Sequence, residues 1–141
     1  MEEIVGMLHE GGYSCVLRNG DIYTFTQRGV ADLFDLLTRR PDLLRGADMA
    51  DKVVGKGAAA LMVLGGVSRL HADVLSEPAW HLLAQCGVDT TYGSLVSHIM
   101  NRAQTGWCPV ESLCRDAATP ADCLTLIEGF LKVNDVKTTI D

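Results

Sequence analysis

Residues 67–96 constrain the fold more than any other stretch of the chain. "VSRLHADVL" reads as a strand, with Val67, Leu70, Val74 and Leu75 apolar and two of them β-branched. "SEPAWHLLAQCG" follows as a helix with both ends marked: Ser76 can cap it, Pro78 fits its first turn and Gly87 stands past its end. "VDTTYGSLV" is then a second strand, rich in β-branched residues. Strands that alternate with helices imply right-handed crossovers and helices lying on the faces of a sheet.

A second signal makes that sheet mixed. In "YSCVLRNGDIYTFTQRG" two β-rich runs flank Asn19-Gly20, and Asn-Gly supplies the positive φ angles of a tight hairpin turn. A short helix over 2–10 precedes it. Apolar residues at 30, 33, 34, 36 and 37 give the next helix, stopped near Pro41. Asp48 or Asp51 is expected to cap a helix from about Lys52 to Leu64, ended by Gly65-Gly66. Cys108-Pro109 opens a short helix to about Asp116. The last helix starts at Thr119, with Pro120 at its first position and Asp122 at the capping-box site. "NDVKTTID" lacks an apolar period, so 133–141 is expected to be a frayed tail.

At 141 residues this is expected to be one α/β domain, three layers deep, with a core over about 10–132. The net charge is −6, and Arg39-Arg40 is the sole basic pair. That charge argues against general binding to nucleic acid or an anionic membrane. The N-terminus lacks a signal-peptide core, and "GAAALMVLGGV" is too short to span a bilayer. Five cysteines without framework spacing point to reduced thiols in a cytoplasm.

Three motifs carry chemistry. "GKGAAA", Gly55 to Ala60, matches the dinucleotide fingerprint, and Asp73 lies 18 residues past Gly55. Only Val53-Val54 precede it as strand, so close packing of a small-residue helix on the sheet competes with a nucleotide site. A third reading places a phosphate or nucleotide at a helix start near Asp51 and Lys52, with Lys56 one turn on sharing the face of Lys52. The second motif is a polar loop, Asn101, Arg102, Gln104 and Thr105, in which Arg102 could clamp an anion. The histidines at 9, 71, 81 and 98 have no metal-pair spacing and read as packing or surface residues, except that His98 enters the loop leading to Cys108, where a protonated imidazole could activate a nearby thiol.

The third motif is "GWCPVESLC". Cys108 and Cys114 are six residues apart and so face apart on one helix, which suits neither zinc nor a disulfide. Cys108 is the expected cap, ahead of Pro109. Glu111, at the third helical position, can bond back toward the cap backbone. A helix start stabilises a thiolate, so Cys108 is a candidate nucleophile and Glu111 its acid–base partner. Gly106 leaves room for close approach and Trp107 offers a pocket wall. A buried structural cysteine is the competing reading.

The segment "VLSEPAWHLLAQCGVDTTYG" resembles the zinc-binding unit of cytidine deaminases: a strand, a Pro-Cys-x-x-Cys helix, then a Gly-containing loop into the next strand. Pro78 matches the motif proline, but the cysteine positions fall on Ala79 and Leu82. The His-x-Glu half of the motif falls near Lys56–Ala59, which holds neither ligand nor acid. The whole chain, over roughly 10–132, is also similar to a small bacterial family of unknown function sharing "DK-[VI]-VG-x-[AG]-AA" and "TG-x-CP-x-E", here Asp51–Ala60 and Thr105–Glu111. That resemblance implies a cytidine-deaminase-like mixed sheet without the zinc signature, hence no metal and no cofactor.

Two functions follow as expectations. In the first, an anion, nucleotide or phosphorylated metabolite binds between the Asp51–Lys56 helix start and the Thr105–Glu111 turn, with Cys108 reactive. In the second, the chain is a non-catalytic ligand-binding or homodimeric interaction domain with Cys108 structural. Whether it is an enzyme stays open.

Overall fold

The computed structural model describes residues 1–27, 30–101 and 103–140, with side chains as far as 133. The elements run α1 (Glu2–Gly11), β1 (Cys15–Asn19), β2 (Asp21–Phe25), α2 (Ala31–Arg39), α3 (Pro41–Leu44), β3 (Asp48–Val54), α4 (Lys56–Gly65), β4 (Arg69–Ser76), α5 (Glu77–Gln85), β5 (Asp89–Val96), α6 (Pro109–Cys114) and α7 (Pro120–Ile140). The strands form one open sheet in the order β2-β1-β3-β4-β5. β1 is antiparallel to both neighbours, whereas β3, β4 and β5 are parallel.

Alternation along the strands divides the apolar residues between two faces. Val16 and Ala50 pack under Ile4 and Leu8 of α1. Their neighbours Leu17 and Met49 enter a larger core with Leu61 and Met62 of α4, Leu83 of α5 and Ile127 of α7. The parallel crossovers β3-α4-β4 and β4-α5-β5 step in the same direction, so a common hand puts α4 and α5 on one face, in contact with each other. α4 lies deepest there: every residue from Gly57 to Met62 is buried.

The unit over 67–96 forms as its residue pattern indicates. The Ser76 hydroxyl accepts the Ala79 N–H at 3.2 Å and Pro78 sits in the first turn of α5. Thr119 likewise caps α7, accepting the Asp122 N–H at 3.1 Å.

The start of α4 differs from expectation. Asp48 and Asp51 cap no helix; they belong to β3, the central strand, and α4 begins only at Lys56 behind Gly55. Two acids and a lysine amid four apolar residues look like a helix's first turn. Tertiary neighbours make them a strand instead. Asp48 pairs with Arg69 at 2.6 Å and Arg18 at 3.0 Å, from the strands on either side. The Arg69 guanidinium, helped by Arg18, holds its carboxyl down at about 2. The hairpin tip also differs in detail. Gly20 adopts φ 75°, but Asn19 is not in the left-handed region. Its side-chain amide instead donates to the carbonyls of Asp42, Leu43 and Arg45, tying the tip to the end of α3.

Candidate functional site

The residues just past the carboxyl ends of the three parallel strands meet at one carboxylate. Glu111 projects from α6 and is 2% exposed. Its Oε1 accepts the Lys56 N–H at 3.0 Å, at the start of α4, and the Ser76 hydroxyl at 3.2 Å, at the end of β4. Its Oε2 accepts the Ile99 N–H at 2.9 Å, beyond β5. Ser76 in turn caps α5, so one carboxylate joins the first turns of α4 and α5. A helix start is a ready place for an anion, and the carboxyl ends of parallel strands are where open α/β sheets commonly take ligands. Here the chain's own glutamate fills that position.

The glycines of "GKGAAA" make room for it. A Cβ on Gly55 would lie 2.7 Å from Glu111 Oε2, and one on Gly57 would lie 2.5 Å from Val110 Cγ1. Both are shorter than side chains tolerate, so these glycines admit α6. A strand, a helix and a second parallel strand do surround the fingerprint, contrary to the expectation that too little strand precedes it. Its anion position is nevertheless taken by Glu111, and Asp73 turns to the histidines of another cluster. The small-residue helix packs closely against α5 and α7 as well as the sheet.

The other expected site residues divide. Lys56 lies at the helix start, but its ammonium donates to the carbonyls of Ala117 at 2.7 Å and Arg115 at 3.1 Å, closing the end of α6. Asp51 and Lys52 lie back on β3, away from any helix start. Burial pushes the Asp51 carboxyl up to about 7. Thr105 and Gly106 bond into their own loop: Asn101 Oδ1 accepts the Thr105 N–H at 3.1 Å, and the Gly106 carbonyl accepts the Asn101 N–H at 2.9 Å. Arg102 lies outside the described residues. Trp107 stacks on the His98 ring with centroids 4.3 Å apart, and the Arg115 guanidinium lies 5.0 Å from its ring centre. Lys56 and Glu111 thus meet, but in direct contact rather than across a cleft.

Cys108 caps α6 through its backbone: the Ser112 N–H reaches its carbonyl at 3.0 Å, and its side chain makes no capping bond. The residue is half-buried. Buried Cys114 and Cys123 adjoin each other, and burial pushes the Cys114 thiol up to about 12, with Cys123 adding to the shift. Burial and then Asp51 raise Cys15 as well. Such thiols are poor nucleophiles.

A hollow of about 200 Å³ lies beside the Glu111 cluster, lined by Lys56, Pro78, His81, Leu82 and Thr119 among others. It is smaller than the several hundred cubic ångströms usual for a drug-sized ligand. Ala79 and Leu82, at the deaminase cysteine positions, are buried packing residues. Neither they nor Lys56–Ala59 fit a zinc ion. Among the described residues no three His, Cys, Asp or Glu side chains are placed to hold a metal, and no helix is long and apolar enough to cross a membrane.

A second polar cluster, unmarked by any motif in the sequence, joins α1 to β4 and β5. His9 Nε2 lies 2.8 Å and 3.0 Å from the two oxygens of Asp73, and His71 Nε2 lies 3.2 Å from Asp73 Oδ1. His71 Nδ1 meets the Thr91 hydroxyl at 2.8 Å across the β4–β5 pair. The spacing of His71 and Asp73, two apart on a strand, was the available signal for half of it.

The family described as TM1506, a domain of unknown function (DUF1893), matches residues 3–131. No curated protein matches the chain. The crystal structure of a DUF1893 family protein (TM1506) from Thermotoga maritima is 22% identical and aligns over 91% of this chain and 87% of that one, with a TM-score of 0.84. At that identity the likeness establishes a common fold.

Proposed function

The chain belongs to the DUF1893 family, and on that premise we propose that it is a non-catalytic domain in which Glu111 serves as a built-in anion. The cleft at the strand ends is then a structural lock, and the working surface lies elsewhere. One observation carries this reading: both Glu111 oxygens are engaged by fixed donors inside the core. A buried carboxylate so held is committed to structure, because a proton transfer or a ligand would have to break those bonds. The finer architecture we propose is deaminase-like. In its support, β4, α5 and β5 follow the order of the motif unit, and α4 and α5 carry the segments where the resemblance puts the metal ligands. Glu111 bridges their first turns.

Anion replacement tests the lock. Glu111→Ala should melt well below the wild type, and formate or acetate should restore much of the loss by refilling the donors, beyond the effect of chloride at equal ionic strength. If formate and chloride act alike, the built-in-anion reading is wrong. The rival reading keeps Cys108 as a reactive thiol beside a small-molecule site, favoured by its half-buried side chain free of capping bonds. Iodoacetamide should alkylate Cys108 no faster than the exposed Cys86. Much faster labelling, slowed by a nucleotide or phosphorylated metabolite that also raises the melting temperature, would establish the rival.

A further inference from the structure

β5 is an edge strand without the usual protection of an edge. It is eight residues long and terminal in the sheet, and it pairs with β4 alone. Parallel strands are normally covered on both faces, yet within β5 only Thr90 and Val96 are even half-buried. Trp80 of α5 meets the Tyr92 ring edge-on on one face. On the other, α1 packs on β1 and β3, reaches β4 only through His9 and Asp73 among the described contacts, and leaves Thr91 exposed. Tyr92 and Leu95 are 41% and 38% exposed. Natural edges carry lysines, prolines or bulges, or are short. β5 has no lysine, arginine or proline, and Asp89, at its start, is its one charge. The opposite edge, β2, has five residues.

We propose that β5 is a homodimer interface, at which two copies pair their β5 strands antiparallel about a two-fold axis and join two five-stranded sheets into one. The inference is independent of the role given to Glu111. Charge decides where a second copy can dock and in which direction. The chain carries −6, so contact between two copies is penalised wherever acidic groups meet. The run Thr90–Val96 is uncharged, and pairing there brings no like charges into contact. Antiparallel pairing places the two Asp89 carboxylates at opposite ends of the ladder, roughly 25 Å apart at about 3.4 Å per residue, which is beyond the screening length of about 8 Å in physiological salt. Parallel pairing would set them side by side. The edge N–H and C=O groups of each strand satisfy the other's, and the exposed Tyr92 and Leu95 add cross-strand contacts. A two-fold interface of this kind is self-complementary and closes at two subunits.

Sedimentation equilibrium of the full chain across the micromolar range tests the proposal, together with Ser94→Lys and Leu95→Lys at exposed positions. The wild type should be dimeric. Ser94→Lys sets two cations within roughly 10 Å of each other along the ladder and should weaken the dimer by about tenfold, whereas Leu95→Lys, which antiparallel pairing places beside the partner's Asp89, should weaken it less; the melting temperature of dilute protein stays put in both. A monomeric wild type overturns the proposal, as does a dimer indifferent to both lysines. Hydrogen exchange on the wild type reads the same point without a variant: the amides of 90–96 should gain protection as protein concentration rises, and constant protection would place any dimer contact elsewhere.

Discussion

Glu111 and Asp73 are both carboxylates with donors on each oxygen, yet they sit at opposite ends of a scale. Glu111 is 2% exposed and is held by two backbone N–H groups and a buried hydroxyl. The Asp73 side chain is 29% exposed and faces two imidazoles, one of them on α1 and 54% exposed. Backbone donors are fixed by the fold and cannot lose their protons. Imidazoles ride on side chains that can move away. In one case the carboxylate organises three chain segments; in the other, water competes for every bond. Donor count alone says little about what a polar cluster does: the kind of donor and its access to water decide.

The comparison can be broken from its strong side first. Glu111→Ala orphans three buried donors and should cost about 3–5 kcal/mol in a denaturant or thermal melt. A loss under about 1 kcal/mol would erase the distinction between the clusters. Asp51 gives a smaller, pH-dependent effect. Its folded pKa of about 7 stands above the usual 3.8, because burial disfavours the charge and Asp73 adds repulsion. The folded state therefore holds a proton that the unfolded chain has released. The stability this group contributes is complete below about pH 4 and is lost as pH rises through about 7. Asp51→Asn should flatten that slope and gain most over the wild type near pH 8; an equal change at pH 5 and pH 8 contradicts the assignment. The smallest effect belongs to the exposed cluster. Asp73→Ala should cost about 1 kcal/mol or less in the same melt, as solvent-exposed pairs do. A cost near that of Glu111→Ala would mean that α1 docks through Asp73 rather than through Ile4 and Leu8.

β4, α5 and β5 were legible because each is announced within a few residues: β-branched runs, a serine cap, a proline in the first turn, a glycine past the end. β3 was not. "DMADKVV" has the residues of a helix's first turn, and only Arg18 and Arg69, distant in the chain, make Asp48 tolerable in a central strand. Glu111 was legible as a notable residue in the third position of α6, but its partner was read as the adjacent cap. The donors that claim it, on Ile99, Ser76 and Lys56, are 12, 35 and 55 residues away.

The sequence by itself determined the crossover unit and the hairpin tip at Gly20, because turns, caps and β-branching act over one to four residues. Only the tertiary structure decided that Gly55 and Gly57 must lack side chains and what Glu111 does. Closing α6 over the strand ends brings a carboxylate to N–H groups that a helix start leaves unpaired, and that encounter is set by the path of the whole chain.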